Sequence, residues 1–184
     1  AEKLGIPFYD KELLSEAAKQ SGICEEIFED HDEKPTRSLL FNLVTGMQVH
    51  GDAGSYYMDM PLNHKIFLAQ FDAIRSIADK GPCVIVGRCA DYILAGRDNT
   101  INVFVYAPRD VRVNRIMARH NLSEAEALKA ISTSDKERGN HYFRYTDQKW
   151  GKAQNYDICI NSALMGIEKT AEMLTAMAKI EVRA

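Results

Sequence analysis

Charged side chains follow three apolar segments that have the length and composition of buried strands. Asp10 comes directly after the first segment, Arg88 and Asp91 follow the second, and Arg109 follows the third. Arginine forms bidentate contacts with phosphate, and aspartate holds a metal ion directly or through water. Any one of these residues alone is more often a solvated strand end than part of a site. Together they favour a site for a polyanion.

A second group of cations lies on predicted helices. Three arginines recur at spacings of three and four residues, on one stripe of a helix: Arg112, Arg115 and Arg119. Lys136, Arg138 and Arg144 belong to a later segment that mixes cations with aromatic residues. That segment is either a solvated helical hairpin or a mobile lid that brings these cations onto a transferring phosphoryl group. Such a transfer depends on positioning and charge neutralisation more than on a covalent nucleophile.

The elements that must position these side chains are short strands alternating with helices. Apolar runs predict strands at 6–9, 83–87, 101–106 and 157–161, and amphipathic patterns predict helices at 65–80, 109–120 and 167–180. The first of these helices places four apolar residues on one face: Phe67, Phe71, Ile74 and Ala78. Ser123 and Glu126 have the spacing of a capping box that starts another helix. Continuously apolar strands separated by helices predict a parallel sheet covered on both faces, with ligands beyond the carboxyl ends of its strands.

Composition limits the classes of protein and partner. The 184 residues are 46% hydrophobic and 27% charged, which predicts one soluble globular domain. Lys and Arg outnumber Asp and Glu by nine to six in residues 101–150, but they are outnumbered five to twelve in residues 1–60. Because the basic excess is local and the net charge is -3, the sequence argues against a nucleic acid polymer as partner and suits a smaller anion.

The remaining bulk features concern location and assembly. No apolar run approaches the roughly 18 residues of a membrane-spanning helix, so we expect no membrane partner. The four cysteines form no CxxC pair and read as reduced thiols, which predicts a cytoplasmic protein. The helix over 62–80 carries enough apolar residues to pack in a core or to form an interface between copies of the chain. The sequence is therefore compatible with a monomer and with a homo-oligomer.

Two sharper motifs fail on spacing or residue type. Cys83 and Arg88 enclose four residues, whereas a phosphatase loop needs five. Residues 46–51 have the GxxxxG spacing of a phosphate loop, but Asp52 and Ala53 follow where Lys and Ser or Thr are required. The five histidines show no pairing typical of zinc.

Several blocks, in chain order, resemble the cytidylate kinase-like family of P-loop kinases, relatives of bacterial cytidylate kinase. They are AEKLGIPFYDKELL, DKGPCVIVGRCADYIL, INVFVYAPRDVRVNRIMAR, and DKERGNHYFRYT followed by WG and NYDICIN. The resemblance implies a three-layer αβα P-loop NTPase fold with a parallel five-stranded sheet. It also implies a single domain over 1–184, with a helical insertion on the acceptor side over about 11–80 and a helical lid over about 121–150.

The resemblance further implies ATP and Mg2+ as cofactors and assigns roles to individual residues. These are catalytic Asp10, Lys136 and Arg138; substrate-binding Lys11, Arg88 and Asp91; and ATP-binding Arg115 and Arg119. Asp10 is also implied to hold Mg2+ indirectly, and Asp135 to orient the two lid cations. The implied activity is ATP-dependent phosphoryl transfer to a nucleoside monophosphate, CMP or dCMP.

This sequence departs from the family pattern at two places. The acceptor motif Asp-Thr-Gly of cytidylate kinases is here Asp10-Lys11-Glu12, which leaves two alternatives: a kinase for a different small-molecule acceptor, or a non-catalytic nucleotide-binding regulatory module. Family members also begin with a strand and a glycine-rich phosphate loop, of which AEKLG corresponds only to the end of the following helix. We therefore expect about 20 further residues upstream, with a strand that is central in the sheet.

Overall fold

A computed structural model describes residues 1–10 and 62–180 of the chain. The strands are β1 (Phe8–Tyr9), β2 (Val84–Ile85), β3 (Val103–Tyr106) and β4 (Ile158–Asn161). The helices are α1 (Leu62–Lys80), α2 (Ala90–Ile93), α3 (Arg109–His120), α4 (Glu124–Thr146) and α5 (Gly166–Ala178), with 3-10 turns at Glu2–Leu4 and Ala153–Asn155. The chain divides into two compact units: an N-terminal unit, Phe8–Ala90, and a C-terminal unit, Ala1–Pro7 with Asp91–Ala184.

The N-terminal unit contains one pair of parallel strands. β1 pairs with β2 in the register Phe8 to Val84 and Tyr9 to Ile85. The amide of Val86 donates to the carbonyl of Tyr9 at 2.9 Å, which continues the ladder beyond the end of β2. The two carboxyl ends therefore lie at the same edge.

Helix α1 of this unit differs in detail from the predicted amphipathic pattern. Its buried apolar residues recur at helical spacing: Ile66, Ala69, Ala73, Ile74 and Ile77. Of the four residues predicted on one face only Ile74 is buried, whereas Phe67, Phe71 and Ala78 are half-buried. The two phenylalanine rings pack on each other at 6.4 Å, and Arg75 covers the Phe71 ring at 5.7 Å. The large rings thus lie beside the buried stripe, which is built from smaller and branched residues.

The C-terminal unit contains the second parallel pair and a helical hairpin. β3 and β4 pair over four positions, from Val103 with Ile158 to Tyr106 with Asn161. Helices α3 and α4 form the hairpin around a small apolar core made of Val113, Ala127 and Ile131, with Ile116, Met117 and Leu128 packed against it. α5 follows β4, and the Lys3 ammonium reaches Glu168 on α5 at 2.6 Å.

An aromatic cluster lies beside β3. The Phe104 ring packs on Tyr156 at 5.0 Å and meets the edge of Trp150 at 5.4 Å. Gly151 follows Trp150 in the left-handed region at φ +72°, and a Cβ there would lie 2.9 Å from Phe104 Cζ. Only glycine fits this position without displacing the Phe104 ring.

These elements confirm an α/β chain with parallel strands. The predicted helix over 109–120 is α3, and the strands lie within their predicted ranges but are shorter. The residues that the structure describes supply four strands in two separate pairs, so they do not form the expected five-stranded sheet. The proposed insertion over 11–80 falls largely on residues 11–61, outside the described part, so the single-domain organisation stays a prediction.

Helix α4 starts with the predicted capping box. Ser123 Oγ accepts from the Glu126 amide at 3.4 Å, and Glu126 Oε2 accepts from the Ser123 amide at 2.9 Å. The Ser123 hydroxyl also donates to Glu126 Oε2 at 2.5 Å, and this bond, together with that from the Ser123 amide, holds the pKa of the Glu126 carboxyl below its ordinary value. The cap therefore satisfies amide groups that the first turn of a helix leaves without intrahelical partners.

We expect Ser123→Ala to lower the free energy of unfolding by about 1 kcal/mol. For a chain of this size that corresponds to a melting temperature lower by about 2–4 °C. Because the folded-state pKa of Glu126 is depressed, the cap stabilises above the unfolded pKa and loses its effect as the pH falls through the folded pKa. Thermal melts at neutral and acid pH should show the difference from wild type shrinking in acid. Ser132→Ala, at an exposed site within α4, is the matched control and should show no loss.

Candidate functional site

Asp10 and Arg88 form an ion pair at the shared edge of β1 and β2. Asp10 directly follows β1, and Arg88 comes three residues after the end of β2. Nη1 of Arg88 donates to Oδ1 of Asp10 and, at 3.2 Å, to the carbonyl of Val86. The Arg88 side chain is 6% exposed and that of Asp10 is 40% exposed. A buried cation is thus held beside a carboxylate that solvent can reach.

The backbone that carries Arg88 is strained. Gly87, Arg88 and Cys89 lie consecutively in the left-handed region, with φ of 71°, 52° and 58°. This conformation costs a non-glycine residue about 1–2 kcal/mol. The amide of Ala90 donates to the carbonyl of Gly87 at 3.0 Å and closes the turn. Strain of this kind concentrates at functional sites, and here it accompanies the turn that directs the Arg88 guanidinium to Asp10.

Asp91, predicted with Arg88 as substrate-binding, is held by a residue that the sequence analysis did not single out. Oδ2 of Asp91 accepts from the hydroxyl of Tyr142 at 2.7 Å, and Gln148 Oε1 lies 3.4 Å from the same hydroxyl. Tyr142 is 5% exposed. Its signal in the sequence is its place four residues after Arg138 in the segment of cations and aromatics, one helical turn further along the same face.

Arg115 lies at the carboxyl ends of β3 and β4. Its Nη1 donates to Ser162 Oγ at 2.9 Å, and its Nη2 donates to the Ser162 carbonyl at 3.0 Å. Arg119, predicted with it as ATP-binding, is exposed in the last turn of α3. The structure therefore fixes one of these two arginines against the strand ends and leaves the other at the surface.

Arg112, the first arginine of the same stripe, pairs with α4. Its Nη1 and Nη2 donate to the two carboxylate oxygens of Asp135 at 2.8 and 2.6 Å. This bond raises the pKa of Arg112. Asp135 was expected to orient Lys136 and Arg138, and the structure instead places it in a bidentate pair that joins the two helices of the hairpin.

Lys136 and Arg138 project from different sides of α4. Successive residues of an α-helix are rotated by about 100°, so residues two apart point to nearly opposite sides. Arg138 shares a face with Ile131 and Tyr142, which are buried, because seven and four residues separate it from them. Both cations are exposed, and Lys136 lies on the opposite face together with the exposed Phe143. The predicted pair of lid cations is therefore not brought together on this helix.

The remaining predicted features concern Lys11, metals, thiols and membranes. Lys11 lies outside the described residues. Within residues 1–10 and 62–180, no group of three or more His, Cys, Asp or Glu side chains could hold a metal ion, and no helix could cross a membrane. The cysteines of this part of the chain, Cys83, Cys89 and Cys159, form no disulfide with one another, and burial raises the pKa of the Cys83 thiol.

Comparisons with known proteins identify similar chains. The model of the cytidylate kinase-like family matches residues 1–164. A crystal structure of an uncharacterized protein from Eubacterium ventriosum is similar, with a TM-score of 0.59 and 32% identity over 65% of this chain and 76% of that one. A uronate isomerase of Corynebacterium glutamicum is 28% identical over 103 residues, which are 56% of this chain. The matched part is 20% of that isomerase, so the chain spans about a fifth of its length.

Proposed function

This chain belongs to the cytidylate kinase-like family, and from that premise we propose that it transfers the γ-phosphoryl group of ATP to a nucleoside monophosphate, CMP or dCMP. The observation that carries the proposal is the ion pair of Asp10 and Arg88, in a chain whose residues 1–164 match the family. A buried arginine at the carboxyl ends of parallel strands is suited to a phosphate, since ligands of open α/β sheets bind there.

Arg88 binds the phosphate of the acceptor in this proposal. The guanidinium has five N–H donors in a fixed fork, so it can contact Asp10 and a phosphate together. Asp10 holds the guanidinium in place and keeps the buried cation paired before the acceptor arrives. The acceptor phosphate attacks with its own oxygen, so the reaction needs positioned cations more than a general base.

Asp10 also fits the predicted indirect contact with Mg2+. Mg2+ is typically bound by one or two carboxylates together with substrate phosphates, and not by an all-protein cage. The partly exposed carboxylate of Asp10 is suited to that mode. When bound, Mg2+ neutralises charge on the transferring phosphoryl group.

The other proposed roles are distributed over the C-terminal unit. Arg115 and Arg119 bind ATP, and Asp91 contacts the acceptor. Arg138 neutralises charge on the transferring phosphoryl group. Lys136 is the second lid cation in the proposal. The role of Arg138 is supported by Tyr142, which is buried on the same face of α4 and donates a 2.7 Å hydrogen bond to Asp91.

The residues after β1 bear on the identity of the acceptor. The substitution of Asp-Thr-Gly by Asp10-Lys11-Glu12 favours testing acceptors beyond CMP. The name uronate isomerase belongs to a protein of which this chain matches a fifth, and none of the contacts described above is specific to isomerisation. A nucleotide-binding module without turnover is the other candidate, because the same contacts would bind ATP without transfer.

The test is an acceptor screen with the full-length protein encoded by the gene. ADP release from Mg-ATP is followed with CMP, dCMP, UMP and AMP and then with non-nucleotide acceptors, and phosphorylated product is identified by anion-exchange chromatography. We expect release that depends on CMP or dCMP and on Mg2+. Tight ATP binding without product from any acceptor would favour the binding module, whereas ATP consumption only with a non-nucleotide would identify a different kinase.

A further inference from the structure

We propose that Ser162 is a positioning residue that fixes the guanidinium of Arg115 for nucleotide binding. The inference rests on the proposed function, because it concerns the same ATP site. It is carried by the hydrogen bonds of one buried serine that immediately follows β4. Ser162 does not itself contact the nucleotide in this account.

Ser162 joins three elements of the C-terminal unit. It is 6% exposed, its amide donates to the carbonyl of Tyr106 at the end of β3 at 2.8 Å, and its hydroxyl lies 3.2 Å from the same carbonyl. Arg115 of α3 donates to its hydroxyl oxygen and to its carbonyl at 2.9 and 3.0 Å. The serine thus ties α3 to the ends of two paired strands.

The hydrogen bonds of the Ser162 hydroxyl determine which partner it donates to and which partner it accepts from. A hydroxyl has one proton and two acceptor lone pairs. The Ser162 hydroxyl donates its proton to the carbonyl of Tyr106, so its oxygen lone pairs are available to accept from Arg115. Since both terminal nitrogens of Arg115 donate to the same residue, the guanidinium plane is fixed and not only its position.

A fixed guanidinium at this edge is suited to a ligand. Two of its five N–H groups donate to Ser162, and no acceptor among residues 1–10 and 62–180 takes the other three. Arginine loses much rotamer freedom when it binds a phosphate or stacks on a base, and a guanidinium that is already held loses less. Ser162 would therefore strengthen nucleotide binding without touching the nucleotide.

A double-mutant cycle separates this role from a purely structural one. The full-length wild type, Ser162→Ala, Arg115→Met and the double variant are titrated with a fluorescent ATP analogue, and their melting temperatures are measured alongside. We expect Ser162→Ala to raise Kd about tenfold, as for loss of a hydrogen bond to a charged group. In the Arg115→Met background the same change should leave Kd unaltered. Ser132→Ala, at an exposed serine of the same unit, should bind as wild type does.

Two results would overturn the inference while leaving the proposed function intact. One is a Ser162→Ala protein that melts earlier but binds with the wild-type Kd. The other is an equal loss of affinity in both backgrounds, which would show that Ser162 does not act through Arg115. Should Ser162→Ala fail to fold, Ser162→Cys keeps the volume while replacing the oxygen acceptor and is judged by the same criteria. A wild-type protein that binds no nucleotide would instead overturn the proposed function and this inference together.

Discussion

Replacing Arg88 with methionine is expected to lower kcat/KM for the acceptor by on the order of 100-fold to 1,000-fold. Arg88 is 6% exposed and paired with Asp10, so its guanidinium is the buried cation at the ends of β1 and β2. Methionine keeps an unbranched apolar stem but removes the charge and every N–H donor. Arg88→Lys should recover only part of the loss, because an ammonium lacks the planar fork. Steady-state kinetics of acceptor phosphorylation measure both.

The control for Arg88 is another arginine of the same unit. Arg75→Met, on α1, removes an exposed cation that covers the Phe71 ring, and we expect kcat/KM within about twofold of wild type. The left-handed backbone at position 88 is unfavourable to arginine and methionine alike, so it adds no difference between them. Wild-type kcat/KM in a folded Arg88→Met protein would contradict the assignment of the acceptor site.

Arg138→Met is expected to lower kcat by on the order of 100-fold to 1,000-fold, as for loss of one donor that stabilises transition-state charge. Lys136→Met should have a much smaller effect, below about fivefold, since the two side chains leave α4 in opposite directions. Arg138 is preferred because it shares its face with Tyr142, which contacts Asp91. Comparing kcat for the two variants under saturating ATP and acceptor tests this.

The outcome of that comparison shows which cation of α4 acts on the phosphoryl group. A large loss in Lys136→Met together with near wild-type kcat in Arg138→Met would reverse the face assignment. Equal large losses would show that both cations act on the phosphoryl group and would contradict the preference for the face of Arg138. Lys129→Met, which removes an exposed cation of α4 before this segment, is the matched control and should keep wild-type kcat.

Local features of the fold were predictable because local chemistry decides them. The bounds of α3 follow from an amphipathic pattern, and the start of α4 follows from the spacing of Ser123 and Glu126. The nearness of Asp10 and Arg88 follows from parallel pairing, which brings carboxyl ends to one edge. The buried stripe of α1 was misplaced because side-chain size alone does not say which apolar residues face the core.

Contacts between distant residues were not predictable in the same way. Asp135 follows Arg112 by 23 residues, and their pairing depends on how the α3 and α4 hairpin closes. Tyr142 and Ser162 are buried polar residues whose partners come from other elements, so no spacing in the sequence identifies those partners. The left-handed turn at Arg88 and Cys89 is equally hidden, because neither residue type favours that backbone.

Transfer of the γ-phosphoryl group to CMP or dCMP can be followed directly with a radioactive label. Full-length wild-type and Arg88→Met proteins are incubated with γ-32P-ATP, Mg2+ and CMP or dCMP, and the nucleotides are separated by thin-layer chromatography. We expect 32P in the corresponding diphosphate with the wild type, and a labelling rate lower by on the order of 100-fold or more with Arg88→Met. Wild-type protein that binds ATP but leaves CMP, dCMP, UMP and AMP unlabelled would contradict the proposed function.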